Sequence, residues 1–414
     1  MFAFMDKGFD LRFRNSLINK TSNRQQHLMS YNQAQLSYSR LTFRIAVAAL
    51  FFLQGIAFAS WASRIPSIQQ SLGLSETALG IVLLSIPVGL LFSIPFSGWF
   101  VAKFGSRKVV LFALVFYSLS LISLGLAETK FQLMGCLFLF GFCGNMSNIA
   151  INTQAVGVEA IYARSVMASF HGMWSVAGFT AAAIGTAMIG ANVLPYQHFI
   201  VISIFILTAI FITFRYTLKE DFNKQEKGQK IFVMPDKSLL NLGLIAFCSM
   251  ICEGAMFDWS GVYFKKVVMA EKAWIGAGYT AFMSTMATGR FIADWFTSRF
   301  GVKRTFQLSG VLTASGLLVA VIFPRLVTAM IGFFLVGFGV SSIVPLVYSA
   351  AGRSKVMSAG VAIAAVSTIG FFGFLIGPPL IGMIAGISSL RISFVVIAAM
   401  GLSVSIIATF KKFE

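Results

Sequence analysis

The chain has 414 residues, of which 57% are hydrophobic and 11% charged, with a mean hydropathy of +0.83. Soluble domains carry charge on about a quarter of their residues, so a soluble enzyme held by an anchor is excluded and a polytopic membrane protein is expected. The net charge of +18 would suggest nucleic acid in a soluble chain. Here the basic residues alternate along the sequence as topology demands, so the expected partner is the lipid bilayer and no nucleic acid.

Residues 1–40 are polar and basic, without the apolar core of a signal peptide or a span. A disordered tail is expected there, with Met29 as a second candidate start and the alternating Phe and Arg of Phe9–Arg14 as a segment able to touch anionic lipid. A helix crosses the hydrocarbon core in about 20 residues. Apolar runs of that length fall near 43–63, 77–100, 108–127, 131–157, 165–190, 196–216, 239–263, 273–296, 305–323, 326–350, 356–386 and 390–410. The spacing predicts an all-α membrane protein of twelve transmembrane helices. The longest polar interruption, 217–238, reads as a linker along the membrane surface and divides the chain into six-helix halves, 41–216 and 239–414.

Seven basic residues precede position 45, three fall in Lys103–Lys108, six between Arg215 and Lys237 and three in Arg299–Arg304, followed by Arg353, Lys355, Lys411 and Lys412. The intervening turns hold only Arg64, Lys130, Lys265, Lys266, Lys272, Arg325 and Arg391. Basic loops stay cytoplasmic, so both termini and the linker are expected inside an inner (plasma) membrane. Cys136, Cys143, Cys248 and Cys252 lie in apolar stretches and form no extracytoplasmic disulfide framework. Neither a phosphate-binding Gly-x-x-x-x-Gly-Lys-Ser/Thr loop nor a nucleophile triad occurs, and His27, His171 and His198 form no metal cluster. No enzyme, cofactor or metal is expected.

The halves repeat one another. Trp99-Phe100-Val101-Ala102-Lys103-Phe104-Gly105 matches Trp295-Phe296-Thr297-Ser298-Arg299-Phe300-Gly301 at an offset of 196, and Phe138-Leu139-x-Gly141-Phe142 matches Phe334-Leu335-x-Gly337-Phe338 at the same offset. Gln54-Gly55-x-x-Phe58 parallels Glu253-Gly254-x-x-Phe257, and Gly178 and Gly185 echo Gly370 and Gly377. Parallel repeats of spans, related by an axis along the membrane normal, enclose a substrate site at their interface near the midplane. From about Arg40 to its end the chain therefore resembles the major facilitator superfamily, which implies two pseudo-symmetric six-helix bundles.

The resemblance assigns a motif loop after the second span: Gly98, Lys103, Gly105 and Arg107-Lys108, with Ala102 where the family has Asp. Glycines there permit a tight turn and close helix approach, while the cations hold the loop on one side, either in a gate or only as a topology anchor. Ser298, Arg299 and Gly301 fill the second copy. The absent acid means that the family's charge interlock at this position is not carried over. Arg290 and Asp294, four apart on the eighth span, read as an intrahelical pair near its cytoplasmic end with a structural gate role.

Ionisable groups deep in a bilayer are costly and are candidates for function. Glu253, near the middle of the seventh span, is expected to carry protons as the cavity alternates, or else to stay protonated against a neighbouring helix. Asp258, about 140° further round, is expected to line the entrance or pair with Lys265 or Lys266. His171 in the fifth span is a second candidate for proton coupling, with helix packing as its alternative. Asn145, Asn148 and Asn152 form one stripe on the fourth span, suited either to a polyhydroxylated or zwitterionic ligand or to interhelical hydrogen bonds. Gln54 adds a polar group opposite Glu253. Trp174 and Trp259, with Trp61, are placed to stack on a sugar face, and Trp61 and Trp259 equally to sit at the membrane interface.

Gly373-x-x-x-Gly377-Pro378-Pro379 predicts close packing and a bend in the eleventh span. The drug/proton antiporter branch carries a Gly-x-x-x-Gly-Pro motif on its fifth helix and an Arg on its fourth; this chain has no proline in the fifth span and Leu137 at the Arg position. The Glu253-Gly254-Ala255, Asp258-Trp259-Ser260 and His171-Gly172 elements instead resemble the inner-membrane branch grouped near the fucose permeases. With Glu253 as the coupling carboxylate, and with amides and aromatics outnumbering embedded charges, the expectation is a monomeric secondary transporter coupled to protons by symport and moving a small polar, sugar-like solute. Efflux of drugs or metabolites is the nearer alternative and a non-transporting membrane sensor or scaffold the distant one.

Overall fold

The computed structural model describes residues 38–162, 166–222, 237–353 and 359–410. The expected tail up to residue 37, with Met29, and the linker from 223 to 236 lie outside the described residues. Among the described residues there are fourteen α-helices and no strand.

The first half comprises α1 (Arg40–Ser71), α2 (Glu76–Leu83), α3 (Ser85–Phe104), α4 (Ser106–Leu126), α5 (Lys130–Tyr162), α6 (Met167–Gly190) and α7 (Pro195–Phe214). The second comprises α8 (Lys237–Lys266), α9 (Ala277–Phe300), α10 (Val302–Ile322), α11 (Leu326–Ser341), α12 (Ile343–Gly352), α13 (Ala359–Ile387) and α14 (Leu390–Phe410). Ser39 and Ser75 cap α1 and α2, their hydroxyls accepting from the backbone of Thr42 and Ala78, both at 3.2 Å.

Two spans are each made of two helices. The α2/α3 break at Leu84 and the α11/α12 break at Ser342 both sit three residues ahead of a proline, Pro87 and Pro345. A proline nitrogen cannot donate to the carbonyl four residues back, so that turn of the ladder opens. Eleven stretches among the described residues are long and apolar enough to cross a membrane by length and composition. The 24-residue α9, which carries Arg290, Asp294 and Arg299, supplies the remaining long helix.

Packing follows the repeat. α1 lies against α6, α3 against α5 and α4 against α7; in the second half α8 lies against α13, α9 against α11 and α10 against α14. The register is shared in detail. A Cβ on Gly141 would come within 2.1 Å of the Ile86 carbonyl oxygen, and a Cβ on Gly337 within 2.3 Å of the Phe282 oxygen, both partners again 196 residues apart. Only glycine permits helix backbones to meet this closely. Between the halves, α6 packs on α9, α2 on α13 and α1 on α8.

Phe112, Phe116, Ile204, Phe211 and Val327 are 57–66% exposed on the outer surface, an apolar exterior that suits lipid rather than water. One end of the bundle, called the terminal face below, carries Arg40, Phe214, Lys237 and Phe410. The opposite, distal face carries the turns after α1, α6 and α8.

Candidate functional site

Glu253 on α8 and Arg290 on α9, both in the second half, meet where that half faces the first. Glu253 sits in the middle third of α8, 6% exposed, and its Oε1 accepts from Arg290 Nη2 at 3.3 Å. Arg290 Nη1 donates to Ser175 Oγ on α6 at 2.7 Å, and Ser175 Oγ in turn donates to the His171 carbonyl at 3.2 Å. The guanidinium lies 5.7 Å from the Trp174 ring centroid, within cation–π range. Trp174, Phe58 and Phe257 form one aromatic wall, with centroids 5.3–6.0 Å apart. Tyr279 and Tyr348 stand within electrostatic reach of Glu253, Tyr348 hydrogen-bonded to Ser367 and the Tyr279 hydroxyl buried without a partner.

The described hydrogen bonds of Arg290 run to Glu253 and Ser175 and do not address the expected pairing with Asp294. Arg290 lies in the middle third of α9, about 15 Å from its end at 1.5 Å per residue, and turns inward across the interface. The side chain of Asp294 lies outside the described residues. Asp258 is half-buried and makes no hydrogen bond or ion pair among the described residues. Its expected partners are engaged elsewhere, Lys265 with Gln70 and the Pro66 carbonyl and Lys266 with Glu76 at 2.6 Å. The lysines end α8, two turns beyond Asp258, and reach across to the first half instead.

The amides divide. Asn145 Nδ2 donates to Ser93 Oγ at 2.7 Å and to the Leu90 carbonyl at 3.3 Å, so it joins α5 to α3. Asn152 Nδ2 donates to Asn148 Oδ1 at 2.8 Å, and Asn148 is exposed. Gln54 Nε2 donates to the Gly144 carbonyl at 3.0 Å, which leaves its buried Oε1 without a partner. Trp61 and Trp259 are 1% and 0% exposed, packed inside rather than at an interface or a cavity wall. His171 is exposed, with Phe51 edge-on at 5.1 Å and Arg290 within electrostatic reach.

Hydrogen bonds between the halves run from Ser175–Arg290 at mid-span to the distal face, where Thr186 meets Thr280 at 3.3 Å, Thr77 donates to the Gly382 carbonyl at 3.2 Å and Lys272 reaches Asn192. The distal face is sealed above the Glu253–Arg290 pair. His171, beside Arg290, is exposed and lies one turn from Ser175 toward the terminal face.

In the motif loop Gly105 has φ +81°, the turn expected of it, while a Cβ on Gly98 would meet nothing within 4 Å, so Gly98 serves no close helix approach. Lys103 lies 4.5 Å from the Trp99 ring. Arg107 donates to the Phe214 carbonyl at 3.2 Å and stacks 4.5 Å over the Phe214 ring. Arg299 is exposed, and Gly301 repeats the φ of Gly105. Just after the motif loop, at the start of α4, Asp221 accepts from Ser106 N at 2.9 Å and from Ser106 Oγ. Gln154 donates to the same Ser106 Oγ at 2.6 Å and exchanges two hydrogen bonds with the Leu218 backbone.

Ser175, Tyr279, Tyr348 and Asp221 were not singled out in the sequence. Ser175 had a usable signal, lying one turn after His171 on the same face. The others take their roles from neighbouring helices.

Two helical bundles in matched packing, joined by the Arg290–Ser175 bond beside a buried ion pair and clothed in exposed apolar side chains, make a multi-pass membrane protein. The sequence profile of the Major Facilitator Superfamily matches residues 47–279 and 242–413. The chain belongs to that superfamily. It is 32% identical over 362 residues to an uncharacterised MFS-type transporter of Yersinia pestis, covering 87% of this chain and 94% of that one. Its fold is similar to that of a bacterial homologue of the human lysosomal transporter Spinster in an inward-facing, unoccupied conformation, with TM-score 0.72, 13% identity, and 89% and 96% coverage. It is also similar to FucP in the outward conformation, with TM-score 0.61, 16% identity, and 89% and 98% coverage.

Proposed function

We propose that this chain is a proton-coupled secondary transporter that moves a small polar organic solute across the bacterial inner membrane by alternating access. The observation that carries the reading is the Glu253–Arg290 pair at 3.3 Å, formed between α8 and α9 of the second half and joined to the first half through Ser175. A lone carboxylate opposite one guanidinium can be neutralised by a proton, and the arginine must then find another partner. Proton loading and solute binding are thereby linked at one atom pair.

The sealed distal face, with the exposed His171 on the terminal side of Ser175, supports a state open toward the terminal face. With the termini cytoplasmic, as the basic loops suggest, this is the inward-open state. Rocking of 41–216 against 239–414 would break the Thr77–Gly382 and Thr186–Thr280 contacts and open the opposite side. A sugar-like ligand rested on the amides, and Asn145 and Gln54 hold helices together instead, which shifts the weight of recognition to Arg290, Trp174 and Glu253.

The test begins with a thermal-shift screen of the purified protein against sugars, amino acids, organic acids and drugs. In proteoliposomes loaded with the solute found, Glu253→Gln should abolish accumulation driven by a pH gradient and leave counterflow exchange intact. Wild-type accumulation in that variant rules out Glu253 as the proton carrier.

A further inference from the structure

Resting on this transport reading, we propose that the solute is a small organic monocarboxylate, bound by Arg290 when Glu253 is protonated. Arginine offers five N–H donors in a planar fork. In Arg290 only two hydrogen bonds are described, Nη1 to Ser175 Oγ and Nη2 to Glu253 Oε1, while Nε is buried and unpartnered. The contact with Glu253 is a single 3.3 Å bond, longer than the roughly 2.7–2.9 Å of a well-formed charge-assisted pair. Glu253 therefore occupies one corner of the fork and leaves donor capacity unused.

Charge decides the ligand class. The groups facing Glu253 are Arg290 and Tyr279 on α9, Tyr348 on α12 and, beside Arg290, His171 on α6. On α8 itself Asp258 lies 140° away. The described side chains of α11 and α13 carry no charge, and Arg391 on α14 donates to the Val321 carbonyl at the distal end. On α1, Arg44 turns to Ser169 and Arg64 to His198.

With Glu253 ionised, the central pair is neutral. With Glu253 protonated, Arg290 is left without a carboxylate partner among the described side chains, a cation in a low-dielectric interior, which is costly until an anion enters. A neutral sugar leaves that charge unbalanced, and a cationic solute worsens it. A monocarboxylate restores neutrality, with its body against Trp174, Phe58 and Phe257.

A second, separate observation has the same sign. A basin of about 300 Å³ on the sealed distal face is lined by Pro66, Ser67, Gln70, Lys265 and Lys272 among others, with no acid. Its two lysines bond only to neutral groups, Gln70, the Pro66 carbonyl and Asn192. An anion crossing that face meets two cations free of carboxylate partners.

The test uses matched carboxylate and carboxamide pairs, lactate with lactamide, benzoate with benzamide and glucuronate with glucuronamide, together with glucose and fucose, in thermal-shift and equilibrium binding at mildly acid pH. At least one carboxylate should bind and its amide should not. Arg290→Gln should weaken that binding roughly ten- to hundredfold, the loss of one charge-assisted pair. Glu253→Gln should retain it and remove its pH dependence, a readout that does not depend on the Arg290 variant folding. Binding of an amide or neutral sugar as tight as that of its acid, carboxylate binding unaffected in Arg290→Gln, or binding of no carboxylate overturns the proposal. Arg290-dependent carboxylate binding without accumulation under a proton gradient upholds the ligand class and sinks the coupled-transport reading; accumulation of neutral solutes alone does the reverse.

Discussion

Gly105 and Gly301, 196 residues apart, share one backbone conformation, φ +81° at both with ψ 148° and 158°. Each ends the last helix of its repeat's second span and starts the next helix with no side-chain cap. The region is one that residues with a Cβ adopt only under strain. Space is not the obstacle: a Cβ at Gly301 would meet nothing within 4 Å, and one at Gly105 only Asp221 Oδ2 at 3.9 Å. Gly105→Ala and Gly301→Ala should therefore each cost about 1–3 kcal/mol through backbone strain alone, and by similar amounts. Thermal unfolding in detergent checks this, and unchanged midpoints for both would refute it.

Arg64, 1% exposed, donates Nε to His198 Nδ1 at 3.0 Å and Nη1 to the Val193 carbonyl at 2.9 Å. The imidazole accepts at Nδ1, so its proton sits on Nε2, which is buried without a partner, as is Arg64 Nη2. No carboxylate meets this cation among the described residues. His198→Ala strips a buried charged donor of its acceptor and should destabilise the protein by about 1.5–3 kcal/mol. The double variant Arg64→Met with His198→Phe, which removes the cation and its acceptor together at similar volume, should be nearly neutral or stabilising. If unfolding midpoints rank these variants in the opposite order, the arginine is a net stabiliser and the desolvation argument fails.

Much of this architecture could be read along the chain because hydrophobic runs and repeated glycines are local patterns. The twelve runs fall on the observed spans, and the offset of 196 reappears in the Gly141–Ile86 and Gly337–Phe282 contacts. Glu253 stood out because a carboxylate amid apolar residues is rare. Its partner did not, since spacing fixes how side chains lie on one helix and says nothing about the rotation of that helix against its neighbours. Spacing alone suggests Asp294 for Arg290, whose pairing the described residues do not address, and for Asp258 either the entrance or the nearest lysines, which reach the first half instead. The Asn145–Asn152 stripe was read as one unit although Asn145 faces α3 and Asn148 does not.

Asp221 caps α4 from a segment more than a hundred residues away, its carboxylate on Ser106 N and Oγ. Anionic caps at a helix N-terminus satisfy orphan donors and complement the dipole. Asp221→Ala should cost about 0.5–2 kcal/mol, and Asp221→Asn, which keeps an acceptor, less. Gln154→Ala removes both Leu218 hydrogen bonds and should expose the segment after α7 to protease. A cleavage rate equal to wild type in both alanine variants means that this contact does not hold the segment to the bundle.

The distal seal between α2 and α13 is made by backbone, which decides how it can be opened. A Cβ on Gly382 would come within 2.5 Å of the Glu76 carbonyl oxygen, and one on Gly80 within 2.7 Å of the Pro378 oxygen. Neither partner is a flexible side chain, so Gly382→Val must push the helices apart. The Glu76–Lys266 bridge at the same face is 26% and 40% exposed, and such pairs contribute about 0–1 kcal/mol. Phe58 lies beneath the seal in the aromatic wall, so Phe58→Cys, in a background lacking Cys136, Cys143, Cys248 and Cys252, reports opening. A membrane-impermeant maleimide applied from the distal side should label it slowly, and Gly382→Val should raise the rate by about tenfold, equivalent to roughly 1.4 kcal/mol of population shift. Glu76→Gln should change it by no more than a few-fold. If the charge substitution opens the site and the glycine substitution does not, the seal is electrostatic and the close backbone contact between α2 and α13 is incidental to it.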